Sequence, residues 1–321
     1  MIGLYRRLKA RGVLGLNARN GQYIMPANKR KFYRLVDNKI ICKQRLIEAG
    51  VAVPAMLGEI SSQYEAGHLK HRLAELQEFV IKPASGSGGD GILVITGKRD
   101  RHWLGGGGKL LDLGDIQYHV AGILAGMYSL GGQVDSAMIE ALIHTAPAMR
   151  EIAPEGVPDI RIILYRGVPV MAMTRLPTRR SGGKANLHQG AIGAGINLTT
   201  GLTLSAVMNS SIVTVHPDTG QNVVGFAIPE WQDLMAIATR CYDAIPLGYL
   251  GVDLVIDRDH GPLVLEMNAR PGLAIQIANN EGLGHRLAAI DRLESPEEQP
   301  AAERLASGLG LAAENWGQPQ A

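Results

Sequence analysis

The chain has little of what marks several common functional classes. Only two of its 321 residues are cysteine, Cys42 and Cys241. Each falls in a helical pattern, so a disulfide framework is excluded and both read as buried thiols. Phe and Trp number three each, too few for the aromatic surfaces on which single-stranded nucleic acid stacks, and no nucleic-acid partner is expected. No apolar run approaches the roughly 18 residues of a membrane span. The best candidate, Val120–Leu130, is too short, and Met1–Gly12 lacks the apolar centre of a signal peptide. The expectation is a cytoplasmic protein with no membrane span. A G-x-x-x-x-G-K-[ST] motif is also missing, which excludes a P-loop nucleoside triphosphatase. Acid is scarce at the start: residues 1–45 hold twelve Lys/Arg and a single carboxylate, Asp37. That end suits phosphates, an anionic surface or an acidic partner if it is more than a solvated helical face.

What the chain has in excess is glycine, 40 of 321 residues or about 12%, against roughly 7% on average. Tight turns and close backbone approaches to a ligand follow. Periodicity predicts helices over Asn38–Ala49, Ala66–Glu78, Glu230–Ala244, Leu273–Glu281 and Leu283–Arg292. Strands are expected at Phe79–Pro83, Ile92–Thr96 and Ala137–Ile143. A hairpin, Ile160–Arg166 with Val170–Arg175, turns at Gly167–Pro169. Leu104–Lys109 reads as a loop tip, and the residues from Ser295 onward as a disordered tail. The mixture is α+β, with antiparallel hairpins in place of βαβ units.

Two segments carry chemistry. Leu250–Ile256 (L-G-V-D-L-V-I) and Pro262–Asn268 (P-L-V-L-E-M-N) read as a hairpin through the polar link Asp257–Gly261. With a turn centred near Asp259–His260, Asp253 lies opposite Glu266, and Asn268 shares their face. Facing acids in an apolar sheet repel, and a bound cation reverses the sign. Two carboxylates and an amide oxygen suit Mg²⁺ or Mn²⁺ held together with phosphates. The second segment is Ser85–Gly91 (S-G-S-G-G-D-G), entered from the strand F-V-I-K-P that carries Lys82. It formally matches G-x-G-x-x-G, but a strand follows where a dinucleotide fold needs a helix. A strand–glycine loop–strand hairpin can instead lay its bare N–H groups over phosphate oxygens.

In chain order these pieces are Asp37–Lys39, G-V-A-V-P (Gly50–Pro54), F-V-I-K-P, S-G-S-G-G-D-G, M-I-E-A-L-I (Met138–Ile143), P-D-I-R (Pro158–Arg161), N-L-H-Q-G (Asn186–Gly190), G-V-D-L-V (Gly251–Val255) and L-E-M-N-A-R-P-G (Leu265–Gly272). The series resembles the ATP-grasp superfamily over about residues 37–285, and most resembles its ribosomal-protein-S6 glutamate ligase branch. The resemblance implies an ATP-grasp fold, two α+β lobes clasping ATP. It implies a shortened basic segment at 1–36, an ATP-grasp domain at 37–292 with a lid lobe at about 70–137 and a central lobe at about 138–292, and a tail at 293–321. It implies ATP and Mg²⁺ (or Mn²⁺) as cofactors. Lys39 and Lys82 would contact phosphates; Ser85, Gly86, Ser87, Gly88, Gly89 and Gly91 would form the lid. Glu140, Ala141 and Leu142 would read adenine through backbone groups, and Asp159 would lie near the ribose. Lys184 and Asn186 would approach the nucleotide. Asp253, Glu266 and Asn268 would bind the metal. Arg270 would face the acyl phosphate or substrate carboxylate, assisted by Arg161 and Arg175, and His188 would orient substrate or accept a proton.

The activity implied is ATP-dependent ligation of a carboxylate to an amine, adding an amino acid such as glutamate to a peptide, protein or small-molecule acceptor. An acidic peptide or protein would suit the basic start. The S6 type carries a substantial domain before its first lysine, whereas this chain has about 38 residues there, so glutamate specificity is not carried over with the motifs. A phosphotransferase on the same scaffold and a non-catalytic nucleotide-binding partner protein are the rival readings, and homo-oligomerisation stays open.

Overall fold

The computed structural model describes residues 2–86 and 88–313. It divides into a smaller unit, Asp37–Ile41 with Pro54–Ile143, and a larger one, Met1–Val36 with Cys42–Val53 and His144–Ala321. The compact smaller unit thus begins at 54, ahead of the boundary near 70 expected for the lid lobe, and takes in Lys39.

The smaller unit is built on six strands: β1 (Met56–Ile60), β2 (Phe79–Pro83), β3 (Leu93–Arg99), β4 (His102–Gly105), β5 (Leu110–Leu111) and β6 (Ala137–Glu140). They pair antiparallel in the order β1-β6-β2-β3-β4-β5. Alternation along β2 and β6 sends Phe79, Ile81, Ala137 and Ile139 to one face, where they bury against Ile116, Val120 and Ile123 of the helix Leu113–Leu124. Each of these Phe, Ile and Val side chains contributes about 1.5–3 kcal/mol by leaving water. That helix starts where it does because Asp112 and Asp115 form a capping box. The other face carries Met138 and Ala84 against Ile40, together with Lys82 and Glu140. The predicted helix Ala66–Glu78 is two short ones, Gln63–Gly67 and Leu69–Leu73, broken at Gly67–His68. Leu104–Lys109 is not wholly a loop tip: Leu104 and Gly105 belong to β4, and the turn is confined to Gly106–Gly108, where Gly107 and Gly108 adopt φ of 77° and 83°.

The larger unit has seven strands: β7 (Asp159–Tyr165), β8 (Val168–Leu176), β9 (Ile192–Ile196), β10 (Thr203–Met208), β11 (Ser211–Val213), β12 (Tyr249–Asp257) and β13 (Gly261–Asn268). All pairs are antiparallel, in the order β11-β10-β9-β8-β7-β12-β13. Every residue of β7 and β12 is buried, which is why both read as nearly continuous apolar runs. Ile160, Ile162, Leu250, Val252 and Leu254 pack on one side with Leu234 and Ala238 of the helix Trp231–Ala244. Ile163, Tyr165 and Tyr249 pack on the other with Tyr23, Ile24, Leu283 and Leu287. Asp159, Arg161 and Asp253 fall on this second face by the same alternation.

Both ends of the described chain are held by specific contacts, and the second departs from expectation. The start is bound into the larger unit: the Asn28 amide donates to the carbonyls of Tyr249 and Ala269 and accepts from the Tyr249 N–H at 2.7 Å. The stretch read as a disordered tail contains a helix, Ala301–Ala313, whose Arg304 is 1% exposed. Leu305, Leu309 and Leu311 pack half-buried against the cores, and Arg304 and Gly308 are the fully buried positions; residues 314–321 lie outside the described residues. Among the described residues no helix is long and apolar enough to cross a membrane.

Candidate functional site

The β12–β13 hairpin places Asp253 opposite Glu266, as the sequence suggested, though by a different route. Its tip pairs Asp257 with Gly261 and Leu254 with Val264, a ladder centred on Asp259. Continued without interruption, that ladder would set Asp253 against Leu265. A β-bulge at this point takes up the extra residue and brings Glu266 to Asp253 and Asn268 to Gly251. The Asp257 carboxylate fixes the tip by accepting from the N–H groups of Asp259, His260 and His144 at 2.9, 3.0 and 2.8 Å.

Cross-strand register extends the row to β7, where Arg161 faces Asp253. Arg161 grips Asp253 side-on, Nε to Oδ1 at 2.7 Å and Nη2 to Oδ2 at 2.5 Å. On β8, Arg175 donates Nε and Nη2 to the two oxygens of Asp159, its register partner, the first at 2.6 Å, and Nη2 also reaches Asp253 Oδ2 at 2.8 Å. Asn268 Nδ2 lies 3.2 Å from Asp253 Oδ2 and 3.4 Å from Glu266 Oε1. Asp253 is completely buried. Burial alone would raise its pKa, but Arg161 and Arg175 outweigh that and hold it at about 2. Asp159 shifts the other way: burial pushes it up to about 6, the Asp253 charge adding to the rise and Arg175 opposing it. Burial works against the Arg175 charge, yet Asp159 and Asp253 more than compensate and its pKa is raised.

Asp253, Glu266 and Asn268 converge, and their chemistry fits a hard cation. Asp253 Oδ1 accepts from Arg161 Nε, and a carboxylate oxygen has two lone pairs to offer. The Asn268 amide, bonded to both carboxylates through its nitrogen, presents an oxygen donor if turned over. Among the described residues no group of three or more His, Cys, Asp or Glu is arranged as a metal cage. Two carboxylates and an amide are fewer donors than a closed cage needs, a number that suits Mg²⁺ held jointly with substrate phosphates.

The smaller unit carries the lysines. Lys82 is 4% exposed and ion-paired to Glu140, itself 2% exposed. The sequence had assigned Glu140 a backbone role only; its carboxylate holds the lysine. Lys39 donates from Nζ to the Gly86 carbonyl and from its backbone N–H to Ala84, the latter at 2.8 Å. The glycine loop is anchored at both ends by residues that sequence reasoning missed. Asp135 accepts from the Ser85 N–H at 2.9 Å, and the His119 ring contacts the Gly91 carbonyl at 2.9 Å. Gly91 has φ +75°, and a Cβ there would lie 2.5 Å from the Tyr128 ring; Gly88 and Gly89 also take positive φ. Ser87 lies outside the described residues. After β6, the Ala141 N–H donates to Ala55 at 2.9 Å, and Leu142 is half-buried.

Lys184, Asn186 and His188 stand on the loop before β9, where Asn186 Oδ1 accepts from the His188 N–H at 3.0 Å. Arg270 lies over the Tyr33 ring at 4.6 Å. The neighbouring Pro271 carbonyl accepts from the buried Arg19. Neither Arg19 nor Asn28 was singled out from sequence; the basic character of residues 1–45 was the signal available.

A family model described as sugar-transfer associated ATP-grasp matches residues 18–292, so the match reaches into the segment 1–36 that the sequence reading had set apart. The fold is similar to D-cycloserine synthetase DcsG, with a TM-score of 0.47, 16% identity, and 84% of this chain and 74% of that one covered. It is similar to the ATP-grasp ligase PsnB complexed with minimal precursor, with a TM-score of 0.43, 14% identity, and 83% and 63% covered. It is also similar to D-alanine–D-alanine ligase from Bacillus anthracis, with a TM-score of 0.44, 14% identity, and 89% and 70% covered. No curated protein matches the chain in sequence.

Proposed function

Because the chain belongs to the sugar-transfer associated ATP-grasp family, we propose that it is an ATP-dependent carboxylate–amine ligase. The observation that carries this reading is the row Arg161–Asp253–Glu266 with Asn268 beside it, brought into register by the bulge. Arg161 and Asp253 sit in wholly buried strands, where charge is costly unless it serves charge handling.

A carboxylate is a poor electrophile, because its charge and resonance repel an amine. Transfer of the γ-phosphoryl group of ATP to a carboxylate oxygen releases ADP and leaves an acyl phosphate. Attack by the amine nitrogen on the carbonyl carbon then expels phosphate, and loss of a proton from nitrogen completes the amide. Lys39 and Lys82 contact the phosphates, with Glu140 fixing where Lys82 can reach. The N–H groups of Ser85–Gly91 donate to phosphate oxygens, and the backbone of Glu140, Ala141 and Leu142 reads adenine. Asp253, Glu266 and Asn268 would hold Mg²⁺ or Mn²⁺, which supplies neutralisation of charge on the phosphoryl oxygens. Asp159, both of whose oxygens are taken by Arg175, anchors that arginine. Arg270 faces the acyl phosphate or substrate carboxylate. Arg161 and Arg175 set the charge around it, Lys184 and Asn186 approach the nucleotide, and His188 accepts the amine proton.

The amine side is an amino acid such as glutamate on the resemblance to the S6 ligase branch. The family's association with sugar transfer adds an amino sugar as a second candidate. We place the reaction in the cytoplasm, where ATP is supplied.

Hydroxylamine trapping tests the proposal. Purified protein, Mg·ATP and a panel of carboxylates should yield ADP and a hydroxamate. Glu266→Gln should lower that yield by more than about 100-fold, the upper range for losing even an outer-shell metal partner. A phosphorylated product with no hydroxamate would assign phosphotransfer to a hydroxyl instead, and AMP as product would exclude both.

A further inference from the structure

Three carboxylates, the buried Asp159 and Asp253 and the half-buried Glu266, share one end of the β8–β7–β12–β13 face with two guanidiniums. Arg161 and Arg175 both bond Asp253, which is completely buried, while Arg161 is 8% exposed. So the acid that heads the candidate cation set already has two resident positive partners. A divalent cation arriving alone would stand beside both guanidiniums in a site where water screens little, and their repulsion offsets much of what Asp253 and Glu266 offer. Polyphosphate changes the balance, since its negative charge can meet the cation and the arginines together.

We propose that Arg161 and Arg175 act as an internal counter-charge that keeps the Asp253–Glu266–Asn268 set from holding a divalent cation until a nucleotide accompanies it. This rests on the reading of those three residues as the cation set. The arginines are then positioning residues acting through Asp253, and their substitution should change the order of binding as well as turnover. The two arginines differ in a way that helps the test. Arg175 also carries Asp159, so removing it leaves a second acid exposed to an unbalanced environment, whereas the bonds of Arg161 go to Asp253.

The test is binding of manganese alone to the full chain, read as loss of the free Mn²⁺ paramagnetic resonance signal, with and without ADP. The wild type should bind Mn²⁺ in the presence of ADP and at least about tenfold more weakly without it. Arg161→Gln and Arg175→Gln, which remove charge but keep an N–H donor, should each tighten ADP-free Mn²⁺ binding by about tenfold or more. Arg161→Lys, which keeps the charge, should retain the wild-type dependence. A second substitution, Glu266→Gln, should abolish the binding gained by Arg161→Gln. Should Arg175→Gln not fold, judged by its thermal melt, Arg161→Gln decides alone. Equal ADP-free affinity in wild type and Arg161→Gln would overturn the proposal while leaving the cation set standing. ADP-dependent Mn²⁺ binding that survives Glu266→Gln would overturn both the proposal and the assignment beneath it, and hydroxamate formation would then judge the ligase reading separately.

Discussion

Asp159 is 4% exposed, and its carboxyl is pushed up to about 6 by burial, the Asp253 charge adding to the rise and Arg175 opposing it. An unfolded chain would titrate it near 3.9. Because the folded value is the higher, its contribution to stability is fully present below about pH 4 and is lost as pH rises through about 6. Asp159→Asn has no such group to titrate, so the variant should gain on the wild type between those limits by about 2 kcal/mol. Denaturant unfolding at pH 4.5 and 7 measures this, and a stability difference that does not change with pH would refute it. Asp253, held at about 2, titrates below that window. This is also the scale at which sequence told least. The residue types Asp253, Glu266 and Asn268 were legible because alternation along a strand is strict. That Arg161 and Arg175 would pair with Asp253 was not, since it depends on the β7–β12 and β7–β8 registers, which no local pattern contains.

Among elements, the β12–β13 hairpin shows how a correct register can be reached through an incorrect turn. Counting inward from the link placed its centre half a residue too far along, and the bulge at Leu265 restored the difference. Deleting Leu265 should therefore close the bulge and leave Asp253 facing Glu266, with Mn·ADP binding retained. Deleting Met267 should move Asn268 to the opposite face of the sheet and abolish that binding, because a shift of one residue inverts every side chain beyond it. Retention of binding in the Met267 deletion would remove Asn268 from the cation set. The glycine loop was legible in composition, since Gly88, Gly89 and Gly91 all take positive φ. Its anchors Asp135 and His119 were not, being 50 residues from Ser85 and 28 from Gly91 in the chain.

For the molecule as a whole, the α+β architecture and the ATP-grasp fold were readable because the motifs occur in a fixed order. The branch was not readable from motifs shared across branches, and the family whose model matches is the sugar-transfer associated one. The helix Ala301–Ala313 escaped notice for a physical reason: it is fastened by a charged side chain. Arg304 donates to Asp243 at 2.5 Å, to the Gln299 carbonyl and to Thr239 at 3.4 Å, and lies 5.2 Å from the Tyr242 ring. Arg304→Ala should lower the global unfolding free energy by about 2–3 kcal/mol, through lost charged hydrogen bonds and a small cavity. Differential scanning calorimetry would register that as a lower melting temperature, and an unchanged melt would mean that the helix is not part of the cooperative fold. The bulge at Leu265 has one further consequence, for anyone who wishes to engineer this chain. It makes the tip of the hairpin and its acidic row separate modules. Arg258, Asp259 and His260 can be exchanged for a longer tip carrying a fluorophore or an affinity tag, and the phase of the strand beyond Leu265 need not follow.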